Sequence, residues 1–239
     1  MLNRVARTAV RVVVLLAVLY GVLVGIGLLL TKVFERSALI REEAELNEAL
    51  AEDRTSTLND VTYLLSGLGN TAAIIAALLV VAVGLRLATK KWTLSVFLVL
   101  AVSAQALVFL LVTLAISRKR PDVRQLDDSP PTSSFPSGHT GAATALFVAS
   151  ALLVLWYVQR RWVKILSVTL LLAVPLLVAY GRLYRGMHHP TDIAGAYLNG
   201  LACITIAATS VLGRGWRRGD RSPDPSGAPR TAVGAAGTR

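Results

Sequence analysis

All three histidines of this chain fall in two short segments, Pro136-Ser137-Gly138-His139 and Arg182-(five residues)-His188-His189-Pro190-Thr191-Asp192. Imidazole titrates near neutrality, so its confinement to two sites that each abut a long apolar run points to phosphoryl or proton chemistry beside a bilayer. His188 and Asp192 stand four residues apart with Pro190 between them. Proline at a first helical position puts Asp192 in the first turn of a helix, facing back toward His188. A carboxylate there can hold one ring nitrogen and leave the other free to attack, the orienting logic of a catalytic triad applied to a histidine nucleophile. His139, on a different helix, would supply the proton that the leaving oxygen needs. His189 is given no direct role, because its neighbour has the better spacing.

The same segments carry anion-binding groups. Arg120 and Arg182 offer planar forks for two-point contact with phosphate oxygens. Ser137 and Gly138 precede a helix whose free N–H groups and dipole favour an anion, and glycine permits close approach. Together they make an oxyanion cradle. The chemistry they suit is that of a phosphate ester held at a lipid–water interface.

Long apolar helices must position these groups. Of 239 residues, 54% are hydrophobic and only 16% charged, the charges clustering between apolar stretches. A span needs about 20 mostly apolar residues, and six windows qualify: 10–31, 70–88, 93–116, 140–158, 163–180 and 192–212. The expected fold is therefore all-α, a polytopic membrane protein with six transmembrane helices in one bundle. The first window is too long for a signal peptide and reads as a retained anchor. With the N-terminus in the cytoplasm, that side receives fifteen of the 25 basic residues: Arg4, Arg7, Arg11, Arg86, Lys90, Lys91, Arg160, Arg161, Lys164, Arg214, Arg217, Arg218, Arg221, Arg230 and Arg239. It receives only Asp220 and Asp224 of the 14 acids. The positive-inside rule then places both termini in the cytoplasm and the motifs at Arg118–Pro121, Pro136–His139 and Arg182–Asp192 together on the outer side of a plasma membrane.

The net charge of +11 is accounted for by short cytoplasmic turns and a tail suited to anionic headgroups, so nucleic acid is not an expected partner. Cys203, the only cysteine, sits mid-span as a packing residue. Gln105 and Asn199 are intramembrane amides suited to hydrogen bonding between helices. The chain divides into residues 1–33 (N-terminal tail and first span), 34–69 (external loop), 70–212 (helical core) and 213–239 (a disordered cytoplasmic tail, too poor in large apolar residues to fold). In the external loop, Leu58, Val61, Leu64, Leu65 and Leu68 recur at helical spacing and suit a short interfacial helix, with a solvated connector as the alternative. Asp127 and Asp128 read as solvated loop residues rather than a cation site.

These residues resemble the type 2 phosphatidic acid phosphatases, or lipid phosphate phosphatases, whose site is shared with vanadium haloperoxidases. That family's pattern is Lys-(six)-Arg-Pro, Pro-Ser-Gly-His and Ser-Arg-(five)-His-(three)-Asp. Here Arg120-Pro121, Pro136-Ser137-Gly138-His139 and Arg182-(five)-His188-(three)-Asp192 match it in order, over about residues 60–212. The resemblance implies a phosphohistidine on His188, Asp192 orienting it, His139 as general acid, and Arg120, Arg182, Ser137 and Gly138 binding phosphate, with no metal and no cofactor. Two positions depart from the pattern: Thr113 stands where the family has lysine, and Gly181 where it has serine. Arg118, Lys119, Arg124 and Arg185 are the nearby cations for the missing lysine. The expected activity is hydrolysis of a lipid phosphate or diphosphate on the extracytoplasmic face, polyprenyl diphosphate favoured. Phosphatidic acid or phosphatidylglycerol phosphate is the nearest alternative substrate. A catalytically decayed lipid-phosphate binder or transporter is the alternative of another class.

Overall fold

The computed structural model describes residues 2–128 and 131–213, and these form helices joined by turns and one long loop. α1 (Leu2–Leu28) ends in a π turn (Leu29–Val33), followed by α2 (Ala38–Glu52), α3 (Ser56–Gly67), α4 (Thr71–Thr89) and α5 (Thr93–Ala115). After the loop come α6 (Gly138–Ala143), a π segment (Thr144–Val148), α7 (Ala149–Tyr157), α8 (Arg161–Tyr184) and α9 (Pro190–Ala207) with a terminal π turn (Ala208–Leu212). Among the described residues, six stretches are long and apolar enough to cross a bilayer: Val5–Val33, Thr71–Thr89, Thr93–Ala115, Gly138–Tyr157, Arg161–Tyr184 and Pro190–Leu212. They correspond one to one with the six windows read from sequence. The predicted disordered tail, beyond Gly213, lies outside the described residues.

α5, α6–α7 and α9 form the inner group, about half buried, while α1, α4 and α8 turn most of their apolar surface outward. Val10, Val14 and Val18 of α1 and Leu79, Val80 and Val83 of α4 are more than half exposed, which only lipid makes favourable. The inner helices approach closely because small residues line their contacts. A Cβ at Gly141 of α6 would stand 2.4 Å from Nε2 of Gln105, so a larger residue there would push the Gln105 side chain of α5 aside. Of the two intramembrane amides, Asn199 joins helices as expected, its Nδ2 on α9 donating to the Gln105 backbone carbonyl of α5 at 3.1 Å, whereas Gln105 itself lines the cavity described below.

The segment read as an external loop is more ordered than its sequence suggested. Ser37 and Thr55 cap two consecutive helices by accepting from Ile40 N–H (3.4 Å) and Leu58 N–H (3.2 Å). Leu58, Val61 and Leu64 of α3 and Leu68 at its C-cap are exposed, as an interfacial helix requires, with Leu65 only partly so, while the buried positions of α3 are polar, Thr62 and Ser66. The acidic stretch before it is not a connector but α2, whose buried positions are Glu43 and Asn47. In both helices the buried pair is spaced i, i+4 and so lies on one face. These faces cover the end of the bundle where α8 stops and α9 starts.

Candidate active site

α9 begins as its sequence demands. Pro190 takes the first helical position, where its missing N–H costs nothing, and Asp192 Oδ2 accepts from the His189 N–H at 2.8 Å in a reciprocal cap. This fixes a fully buried carboxylate beside His188, but not as its nearest partner. His188 Nδ1 lies 2.8 Å from the Ser134 carbonyl and 3.7 Å from Asp192 Oδ2. A carbonyl only accepts, so Nδ1 carries the proton and Nε2 keeps its lone pair. The ring is therefore oriented by Ser134, with Asp192 behind it as a nearby charge. Asp192 Oδ1 accepts instead from Arg118, which also binds Glu43 at 2.8 Å. His189 serves as the cap of α9, its Nδ1 3.3 Å from Asp192 Oδ2.

His188, His139, Arg120, Arg182 and Gly138 line one cavity of about 910 Å³. Its floor continues along Ile74, Ile75 and Leu78 of α4 and Val102, Ala106 and Phe109 of α5, which are apolar and inside the membrane-spanning stretch. Two residues of the sequence-derived set do not line it. Asp192 is hidden behind His188, and the Ser137 hydroxyl, fully buried, donates to Thr140 Oγ1 at 3.1 Å while its backbone N–H donates to the Asp192 carbonyl at 3.1 Å. Glycine at 138 also has a packing reason: a Cβ there would stand 2.8 Å from the Phe109 ring.

Arg182 is held from one side only. Its Nη1 donates to Ser66 Oγ of α3 at 3.0 Å and to Asp127 Oδ2 at 2.8 Å, while its buried Nε has no hydrogen-bond partner among the described residues. A buried guanidinium donor without an acceptor is costly unless a ligand supplies one. Asp127, read from sequence as a solvated loop residue, is half-buried and bridges Arg182 and Arg185. Burial alone would raise its carboxyl, but the hydrogen bond from Arg185 and the charges of Arg182 and Arg185 outweigh burial and hold it below the ordinary value. Arg120 is fixed by donating to the Met187 carbonyl at 2.7 Å; burial lowers it from its ordinary value, with the charge of Asp192 opposing. Burial pushes the His188 imidazole down to about 4; Asp192 opposes that, and Arg182 and Arg120 add to it. The ring is thus neutral at physiological pH, the state in which Nε2 can attack.

Both departures from the family pattern have structural counterparts. Thr113 is buried and donates to the Leu110 carbonyl at 2.9 Å, outside the cavity. Arg118 and Arg185 are committed to carboxylates, so neither supplies the missing cation to the cavity. At Gly181 a Cβ would meet the Thr62 carbonyl and Ser66 N at 3.2 Å, so glycine lets α3 settle on α8 and bring the Ser66 hydroxyl to Arg182.

A neutral histidine with a free Nε2, a second histidine and two arginines at the polar end of an intramembrane apolar cavity define a membrane lipid phosphatase. Residues 92–216 match the PAP2 superfamily, and the chain belongs to it. Phosphatidylglycerophosphatase B of Bacillus subtilis (strain 168) is 24% identical over 179 residues, 73% of this chain and 85% of that protein. The crystal structure of a transmembrane PAP2-type phosphatidylglycerolphosphate phosphatase from Bacillus subtilis shares the fold, with a TM-score of 0.68 at 23% identity over 79% of this chain and 93% of that one. Aquifex aeolicus LpxE does so with a TM-score of 0.56 at 23% identity, over 69% and 93%.

Proposed function

We propose that the protein hydrolyses a phosphomonoester or pyrophosphate of a membrane lipid, polyprenyl diphosphate foremost, through a phosphohistidine on His188 at the extracytoplasmic face. Residues 70–212 form the phosphatase core in this reading. Nε2 attacks phosphorus in line, His139 protonates the departing oxygen, and water then releases phosphate with His139 as base. Arg120, Arg182 and the N–H group at Gly138 stabilise charge on the transferring group, which in phosphoryl transfer is most of catalysis, while the Ser137 N–H stays on the Asp192 carbonyl. No metal enters the scheme; the acidic residue best placed for one, Asp127, is already paired with two arginines.

The observation that carries the reading is the single cavity joining His188, His139, Arg120 and Arg182 to apolar walls within the membrane. A long isoprenoid tail is favoured by what lies beyond it. A second apolar groove, about 300 Å³, runs between Ala77, Val81 and Leu85 of α4 and the facing residues of α7 and α8. From Thr71 to Leu85, α4 borders one space or the other, a length of about 21 Å at ~1.5 Å per residue. Phosphatidylglycerol phosphate is the second reading, favoured by the names of the two Bacillus subtilis proteins.

Phosphate release by the purified protein, measured with chelator present on polyprenyl diphosphate, polyprenyl phosphate, phosphatidic acid and phosphatidylglycerol phosphate, decides between them. The highest kcat/KM is expected for the polyprenyl diphosphate, with vanadate inhibiting. A preference for the glycerolipid establishes the second reading, and activity lost in chelator and restored by magnesium overturns the metal-free scheme. Orientation is tested by single cysteines in a Cys203→Ala background. Exposed Glu35→Cys should react with an impermeant maleimide in intact cells, and exposed Lys91→Cys only after permeabilisation; the reverse pattern overturns the topology.

A further inference from the structure

The positions α2 buries fully are polar, Glu43 and Asn47, with Ile40 only partly buried against the core, and both polar side chains land on the segment that carries His188 and Asp192. Asn47 Nδ2 donates to the His188 carbonyl at 3.4 Å. Glu43 Oε1 accepts from the Thr191 N–H, and Oε2 accepts from Arg118 Nη2 at 2.8 Å. Arg118 Nη1 donates in turn to Thr191 Oγ1 at 2.7 Å and to Asp192 Oδ1. Glu43, Arg118 and Asp192, exposed by 3%, 8% and 0%, thus form a line of alternating charge that ends behind His188.

We infer that Glu43 is a positioning residue of the phosphoryl-transfer site, acting through Arg118 to leave one uncancelled negative charge behind the His188 ring. The inference rests on the reading of His188 as the phosphoryl acceptor. When the Nε2 lone pair forms its bond to phosphorus, the bond to the leaving oxygen breaks and that oxygen takes a proton. The ring keeps its Nδ1 proton and becomes a cationic phosphoimidazolium. The groups facing it from α8, the α5–α6 loop and α6 are Arg182, Arg120 and His139, none of which favours a cation. On the α9 side stand Asp192 and, beyond it, His189. Arg118 alone would cancel Asp192; with Glu43 on its other fork, the three sum to one negative charge in a region shielded from water, where such a charge acts strongly. An external helix outside every motif would thereby set the charge of the site.

The test is a charge cycle measured on the full-length protein in lipid nanodiscs. Glu43→Gln keeps the size of the side chain and an oxygen for the Thr191 N–H, but removes the charge. Its kcat is expected to fall about tenfold, the equivalent of one charge-assisted hydrogen bond, with KM unchanged. The acid limb of kcat/KM should move to lower pH, because the ring then binds a proton less readily. Arg118→Gln should move the limb to higher pH. The double variant restores one negative charge and should return the limb toward its original position. A purely structural clamp predicts limbs that do not move and a double variant worse than either single; that result overturns the inference. Should Glu43→Gln not accumulate in the membrane, Glu43→Asp and Arg118→Gln decide the point. The limb is then expected unchanged in the first and raised in the second, and a limb unmoved in both overturns the inference. An active His188→Ala enzyme would sink the underlying reading instead, whereas an inactive one with an unmoved limb in Glu43→Gln sinks only this inference.

Discussion

Replacing His188 with alanine is expected to lower phosphate release by at least about 10⁴-fold while the protein still inserts and unfolds at its usual temperature. The size follows from the role proposed above: in that scheme, with no Nε2 there is no covalent intermediate, and only phosphate binding by Arg120 and Arg182 remains to accelerate attack by water. Folding should tolerate the change, because the α9 cap uses the His189 N–H and Asp192, not the His188 ring. The unmodified enzyme quenched during turnover should carry labelled phosphate that is released by acid and stable to base, as a phosphoramidate is, and the variant should carry none. The pH dependence supplies a further check. In the proposed scheme only the neutral ring can attack, so the acid limb of kcat/KM, after correction for ionisation of the substrate phosphate, should lie near the lowered value of about 4 rather than the ordinary 6.5. Activity therefore persists as pH falls from 7 through 6 and is lost on approaching 4. A purified His188→Ala enzyme that releases phosphate at the original rate would remove the covalent mechanism.

The parts of this site legible in the sequence are those where one residue type has few uses in a membrane. Six apolar runs have no other reading at that length. Pro190 followed by Asp192 announces a capped helix start, and the structure has one there. What sequence concealed are groups whose role comes from tertiary placement. Ser134 orients His188 through its carbonyl, which every residue possesses, so nothing in its side chain could have marked it. Glu43 lies in an acidic run that looks solvated, and Asp127 beside Asp128 looks the same; burial against Arg118 in one case and against Arg182 and Arg185 in the other changes their meaning. One signal was available: Glu43 with Asn47, and Thr62 with Ser66, are polar pairs at i, i+4, the spacing of a single helix face. Arg118 was overshadowed by Arg120, which fits the motif. Two positions along an irregular loop were enough to send one arginine to the cavity and the other to Asp192.

Arg182→Lys should cost about 10²- to 10³-fold in kcat, more than a retained positive charge would suggest. Ser66 and Asp127 hold Nη1, and Gly181 lets Ser66 come close enough to do so, so the guanidinium is fixed in one orientation at the cavity wall. A lysine ammonium satisfies Ser66 and Asp127 and has no second edge to offer. In a loose phosphoryl-transfer transition state, charge is spread over the equatorial oxygens, and donors fixed before the reaction begins stabilise it without reorganising. The loss should therefore fall on kcat more than on KM. Thr113 sharpens the expectation: with that hydroxyl turned to the Leu110 carbonyl, Arg120 and Arg182 are the cationic side chains lining the cavity among the described residues. Each then bears a larger share of the phosphate charge than in a site where a lysine assists. Exogenous guanidinium should partly restore turnover to Arg182→Ala, whose missing fork leaves a space beside Ser66 and Asp127, and should do nothing for His188→Ala. An Arg182→Lys enzyme with unchanged kcat would show that the planar fork of Arg182 does not act on the transferring phosphoryl group.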